Sequence, residues 1–248
     1  MAASLPMNHA SHLSALERDG AAFAESCAAA GLGVAVDSCP GWTVADLAWH
    51  LTEVHHFWRT IVGERRWKWE GYDRPARPND DDLLPDYHSG LADTLTVLSA
   101  ADPAQPNWTW SSDHSAGFVI RRMAQETAVH RWDADSAAAT LTPIEPLLAS
   151  DGIDEFLTHM LSYVIADASA VGGSVHLHCT DVAGEWTVRP SDDGAHVVTR
   201  EHSKGDAAMR GTASDLLLVL WRRRDLAHVD VVGDGDVAQR FVARTLLD

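Results

Sequence analysis

Glu126 and His130 stand four residues apart in a stretch whose apolar residues recur at helical intervals. At about 100° per residue and with Val119 as origin, Met123 falls at about 40°, Glu126 at about −20°, His130 at about 20° and Ala137 near 0°. A carboxylate and an imidazole therefore share the axis of an apolar stripe, one turn apart. A buried carboxylate without a partner costs several kcal/mol or takes up a proton. A metal ion is the simplest shared partner for two such side chains aimed at one spot. The other reading of a Glu-x-x-x-His pair is a hydrogen-bonded structural pair, and the pattern alone leaves both open.

A second helical stretch offers a third ligand. Its stripe runs through Leu47, Leu51, Val54, Trp58 and Ile61. His50 lies at the edge of that stripe, His55 flanks its other side and His56 points roughly opposite. His50 is the better candidate of the three. Two His and one Glu with one open position is the form of a catalytic zinc site, although Mn, Fe, Co or Ni also accept such donors.

Other chemistry-bearing residues read more plainly. His176 and His178 share one face of an alternating segment, and an exposed polar strand face accounts for them. Cys39 beside Pro40 reads as a packed, inert thiol. Trp108 and Trp110 precede the Glu126 helix and either wall a site mouth or cap a core.

These residues need a scaffold. The first 140 residues read as four helices: about Ser11 to Ala30, a second starting after Thr43, about Leu83 to Ala100, and about Gly117 to Ala139. Thr43 with Asp46 three residues on forms a capping-box signature. Loops rich in Pro, Asn and Asp lie at Gly71 to Asp82 and at Asp102 to Ser115. That pattern predicts a four-helix bundle. After Pro143 and Pro146 the pattern changes, so the domains are expected at 1–143 and 144–248. The second half reads as a helix from Ser150 to Ala168 followed by strands at Val175–Cys179, Glu185–Arg189, His196–Arg200, Ala207–Arg210 and Val229–Val232. Helices are expected at Ser214–Arg223 and Asp236–Leu246. The fold class is α+β.

Cys39-Pro-Gly-Trp-Thr-Val-Ala-Asp-Leu-Ala-Trp-His-Leu51 resembles the start of the second helix in the mycothiol-dependent maleylpyruvate isomerase family, a branch of the DinB/YfiT-like metal-binding bundles. Arg122-Met-Ala-Gln-Glu-Thr-Ala-Val-His-Arg-Trp-Asp-Ala134 is similar to that family's fourth helix. The stretches Val175 to Asp181, Gly205 to Gly211 and Asp215 to Trp221 resemble its C-terminal domain, which is sterol-carrier-protein-like. The resemblance implies a DinB-like bundle followed by that domain. It implies His50, Glu126 and His130 as ligands, zinc as the metal and mycothiol, the low-molecular-weight thiol of actinobacteria, as cosubstrate. It also implies a substrate-binding arginine from the smaller domain, for which Arg222, Arg223 and Arg224 are candidates, with Arg210 behind them.

The implied chemistry is thiolate addition to a cis double bond conjugated to a carbonyl. Rotation and loss of the thiolate make an isomerase; retention of the thiolate makes an S-transferase. A metal-dependent hydrolase on the same triad, and a non-enzymatic small-molecule binding protein, are the competing readings.

Composition limits the partners. The chain has 248 residues and a formal net charge of −17. Such acidity repels nucleic acid and anionic membranes. No apolar run reaches the roughly 20 residues of a membrane helix, and Met1 to Ala10 shows no secretory pattern. Cys27, Cys39 and Cys179 are too few and too scattered for a disulfide framework, and a reducing cytoplasm is the expected setting. Oligomeric state is not legible. The acidity also disfavours a dianionic substrate at long range unless arginine and metal reverse the field locally.

Overall fold

The computed structural model describes residues 7–245. They form two compact units that divide between Thr142 and Pro143. The first is helical and the second is a mixed α and β unit, so the fold is α+β.

The helical unit consists of α1 (His9–Ala30), α2 (Val44–Gly63), α3 (Asp80–Ala100) and α4 (Ala116–Ala137). Helix α1 packs on α4 and α3, and α2 packs on α3 and α4. The start of α2 is set locally. Thr43 accepts a hydrogen bond from the Asp46 N–H, and the Asp46 carboxylate accepts from the Thr43 N–H. This closed box, with Arg77 on the other carboxylate oxygen, holds the Asp46 carboxyl down at about 2. Helix α3 begins earlier than its apolar stripe, because Asp80, Asp81 and Asp82 occupy a first turn that favours negative charge. Leu16, Phe23, Leu47, Leu51, Tyr87 and Met123 are fully buried between the helices.

Helix α4 is unusual in being covered on nearly every side. From Ala116 to Asp135 every residue is buried except Arg121 and Glu126. Its charged residues are held by neighbours. Arg131 donates to Asp135 at 2.6 Å and to the Thr142 carbonyl at 2.8 Å, and Ser26 of α1 donates to Asp135 at 2.6 Å.

In the second unit, α5 (Pro146–Glu155), one π-helical turn (Phe156–Met160) and α6 (Leu161–Val164) replace the single expected helix. Pro146 is not a linker residue: it occupies the first turn, and the Glu145 side chain accepts from the Leu148 N–H. A short 3-10 turn (Ala168–Val171) leads to the strands. The strands are β1 (Val175–Cys179), β2 (Glu185–Pro190), β3 (His196–Thr199), β4 (Ala207–Gly211) and β5 (Asp230–Gly233). The sheet order is β3-β2-β1-β4-β5, with β1 and β4 parallel and the other pairs antiparallel. Helix α7 (Ala213–Leu220) is apolar and packs on α5, and α8 (Gly235–Ala243) closes the described chain. Leu246, expected to end that last helix, lies outside the described residues.

Strand β1 is central, and His176 on it is only 6% exposed. The polar face expected at His176 is therefore covered at that residue, where the His202 and His178 rings pack 5.1 and 6.1 Å from its ring, while His178 stays half-buried.

Candidate metal centre

The lone gap in the burial of α4's middle turns is Glu126, and His50 of α2 faces it. His50 Nε2 lies 3.3 Å from Glu126 Oε1, and His130 Nε2 lies 3.2 Å from the same oxygen. The His50 and His130 rings meet edge to face with centroids 4.9 Å apart. Side-chain exposure grades from 33% at His50 through 17% at Glu126 to 9% at His130, so the cluster opens to solvent on the α2 side.

Each member has a backing partner. Arg122, one turn before Glu126, donates to Glu126 Oε2 at 2.8 Å. Asp133 Oδ2 lies 2.9 Å from His130 Nδ1, and its Oδ1 accepts from the Ser38 hydroxyl at 2.6 Å. The Cys39 thiol points at the same carboxylate from 3.8 Å. Trp42 packs against the His50 ring at 4.9 Å between centroids.

The electrostatics follow from these contacts. Burial pushes the Glu126 carboxyl up, but Arg122 and the hydrogen bonds from His130 and His50 override it and hold it well below the usual carboxylate range. Burial pulls the His130 ring down, yet Asp133 and Glu126 override that too and raise it to about 9. In the metal-free site a proton thus supplies positive charge at His130.

A divalent ion fits in place of that proton. Two imidazole nitrogens and a carboxylate oxygen are zinc donors, and adjacent ligand atoms of a tetrahedral site with bonds near 2.0–2.1 Å are about 3.3 Å apart. The contacts from Glu126 Oε1 to the two histidines, 3.2 and 3.3 Å, match that edge. The carboxylate on the far ring nitrogen of His130 is the usual support of a metal-binding histidine. Cys39, His130 and Asp133 also lie close enough together to hold an ion. That set shares His130 with the first and draws on the Asp133 oxygen already engaged by the His130 ring.

His55 and His56 sit elsewhere. His55 is fully buried, with its Nε2 2.8 Å from the Thr127 hydroxyl, and burial drives its pKa down to about 3. His56 pairs through Nδ1 with the Tyr72 hydroxyl at 2.7 Å.

An open cleft of about 230 Å³ adjoins His50, lined by Glu53, Val54, Phe57, Trp58, Tyr72 and Arg74. Arg74 is ion-paired with Glu53 through both of its carboxylate oxygens. Trp108 stacks on Trp58 at 5.9 Å and meets Phe57 at 6.0 Å, so it backs the cleft wall. Trp110 instead packs against Phe118 at the start of α4.

The arginine candidates belong to the C-terminal unit. Arg224 is ion-paired with Asp215 of α7. Arg223 donates to the Trp221 carbonyl at 3.1 Å and lies over its ring. Arg222 is exposed and holds a left-handed backbone with φ 57°.

Pattern reasoning passed over Asp133, Arg122 and the cleft residues. Two of these had a signal: Asp133 follows His130 by three residues and Arg122 precedes Glu126 by four, both helix-neighbour spacings. Tyr72 and Arg74 carried none, since they lie in a loop whose path is set by tertiary contacts.

The family model of the mycothiol maleylpyruvate isomerase N-terminal domain matches residues 13–135. That of the MDMPI C-terminal domain matches residues 148–240. A crystal structure of the mycothiol-dependent maleylpyruvate isomerase is similar at 11% identity and a TM-score of 0.57, covering 91% of this chain and 93% of that one. A histidine-to-alanine mutant of the isomerase matches over the same shares at 9% identity and a TM-score of 0.55. At such identities the likeness is one of fold. No curated protein matches the chain by sequence.

Proposed function

The chain belongs to the mycothiol maleylpyruvate isomerase family, and from that premise we propose that it is a zinc-dependent enzyme. It uses mycothiol as nucleophile toward a small electrophile, as a maleylpyruvate-type cis–trans isomerase or as an S-transferase. His50, Glu126 and His130 are its metal ligands. The observation that carries this reading is the pair of near-equal contacts, 3.2 and 3.3 Å, from one Glu126 oxygen to the two histidine nitrogens.

When bound, zinc supplies charge that converts a coordinating thiol to a thiolate at neutral pH. The chain's own residues do the rest. Asp133 holds the His130 ring with its proton on Nδ1, which leaves Nε2 free to ligate. Arg122 keeps Glu126 ionised and aimed. Val54, Phe57 and Trp58 give the open cleft beside His50 an apolar wall for the substrate to pack on. Arg74 and Glu53 offer one charge of each sign to a polar substrate. One of Arg222, Arg223 and Arg224 is the candidate to meet a substrate carboxylate, and Trp108 supports the substrate wall.

The test is to incubate zinc-loaded protein with mycothiol and a panel of electrophiles that includes maleylpyruvate, then to read the products by mass spectrometry. Thiol-dependent isomers or conjugates are expected. Turnover that persists without any thiol would sink the proposal in favour of a hydrolase. In parallel, Glu126→Ala and His130→Ala should lose bound zinc while His56→Ala keeps it, and full retention in both ligand variants refutes the assignment.

A further inference from the structure

The C-terminal unit contains another cluster of metal-ligating type, and it owes nothing to the site on α2 and α4. His176 and His178 lie two residues apart on β1 and so project from the same face. Glu185 opens β2 directly opposite His178 in the antiparallel register. His202 comes from the segment that follows β3 and packs back over them. The His176 and His202 rings are 5.1 Å apart at their centroids, and His178 lies 6.1 Å from His176 and 6.4 Å from His202.

One donor atom from each of the four residues lies within 4.8 Å of all the others. Glu185 Oε1 receives both His178 Nδ1 and, at 3.2 Å, His202 Nδ1. The fourth member is the informative one. His176 is 6% exposed, and its Nε2 is buried with no hydrogen-bond partner. A buried polar nitrogen left unpartnered is uncommon and costs on the order of 1–3 kcal/mol. Exposed histidines gather on surfaces without consequence. A covered imidazole with an unpartnered nitrogen, packed against two other imidazoles beside a carboxylate, is different.

We propose that His176, His178, Glu185 and His202 form a second metal site, which takes zinc or another divalent transition metal and serves structure. Imidazole donors exclude the hard ions Mg²⁺ and Ca²⁺. Four protein ligands fill a tetrahedral shell and leave no position for substrate, which is the form of a structural zinc site. His202 is exposed, so its ring has room to turn inward and close the four donors around an ion. The bound ion ties the segment after β3 to the centre of the sheet and satisfies His176 Nε2.

The test is metal counting on the full-length chain. Chelator-stripped protein is loaded with excess zinc, passed through gel filtration and assayed for metal by mass spectrometry. Wild type should retain one zinc equivalent more than His202→Ala, and Glu185→Gln should lose the same equivalent. Because His202 is exposed, its substitution leaves the fold intact, and circular dichroism checks this. Cobalt loading gives a second readout: the difference spectrum between wild type and His202→Ala should carry tetrahedral d–d bands. Equal zinc retention in wild type and both variants overturns the proposal. Glu126→Ala run alongside keeps the two sites apart: it reports only on the α2–α4 centre, so either assignment can fail while the other stands.

Discussion

Asp133 is the sharpest place to perturb the α2–α4 centre without touching a ligand. It is fully buried and accepts from three directions: the His130 ring at 2.9 Å, the Ser38 hydroxyl at 2.6 Å and the Cys39 thiol at 3.8 Å. In Asp133→Asn the amide can rotate so that its oxygen still accepts from His130 while its NH₂ donates to Ser38. Geometry is kept and only the charge is lost. A hydrogen bond to a charged group is worth about 1.5–3 kcal/mol and a neutral one about 0.5–1.5, so roughly 1.4 kcal/mol of support for His130 disappears. That corresponds to about tenfold weaker zinc binding. Asp133→Ala removes the acceptor altogether, frees the ring to adopt the other tautomer and should cost about 100-fold. The assay is competition for zinc against a chromophoric chelator, with thermal unfolding of the metal-free proteins as the control for fold. The graded order wild type, Asn, Ala is the signature of a positioning residue. Zinc affinity of Asp133→Ala within about twofold of wild type, in a folded protein, refutes the idea that Asp133 orients His130 for ligation.

Two further outcomes follow from His55 and Trp108. His55 is neutral in the folded chain because burial drives its pKa from 6.5 to about 3, whereas the unfolded chain protonates it below 6.5. Stability should therefore fall as pH drops from 6.5 toward 3, by up to about 1.4 kcal/mol per pH unit, or about 3 kcal/mol at pH 4.5. His55→Gln should flatten that slope in urea unfolding of the metal-free proteins, and identical slopes count against the assignment. For Trp108→Ala, loss of the stack on Trp58 should raise the KM for the electrophile about tenfold, with zinc content unchanged and kcat within about twofold, in steady-state kinetics. An unchanged KM removes Trp108 from the substrate wall.

What could be read without coordinates divides by how local its cause is. The Thr43–Asp46 box, the helix it starts and the pairing of Glu126 with His130 depend on residues within four positions of one another, and helix geometry carries them directly. His50 follows from the stripe on its own helix. The pairing of Asp133 with His130 was local too, three residues apart, but the anchoring of Asp133 by Ser38, 95 residues away in sequence, had no signal. His176 was misjudged for a related reason. Alternation along β1 looks half-exposed, but burial is set by β2, β4 and the returning His202 segment, and register between strands has no signature in one strand's sequence. The π-helical turn at Phe156–Met160 was also invisible, since its apolar residues keep step with an ordinary helix.

The local charge at the α2–α4 centre bears on the question raised by proposing an anionic substrate for an acidic chain. Glu126 and Asp133 each bring a negative charge and Arg122 a positive one, and the proton on His130, which a metal displaces, balances the remainder, so the cluster without metal is neutral. A divalent ion turns that into a single positive charge at the base of an otherwise electroneutral Arg74–Glu53 cleft. A potential from exposed charges decays within about 8–10 Å at physiological salt, whereas a partly buried ion is screened far less. The overall charge of −17 therefore governs approach from a distance, and the loaded metal governs the last few ångströms. On this argument anion binding and metal loading are one property: the stripped protein should bind neither the thiolate nor a carboxylate substrate at this cleft.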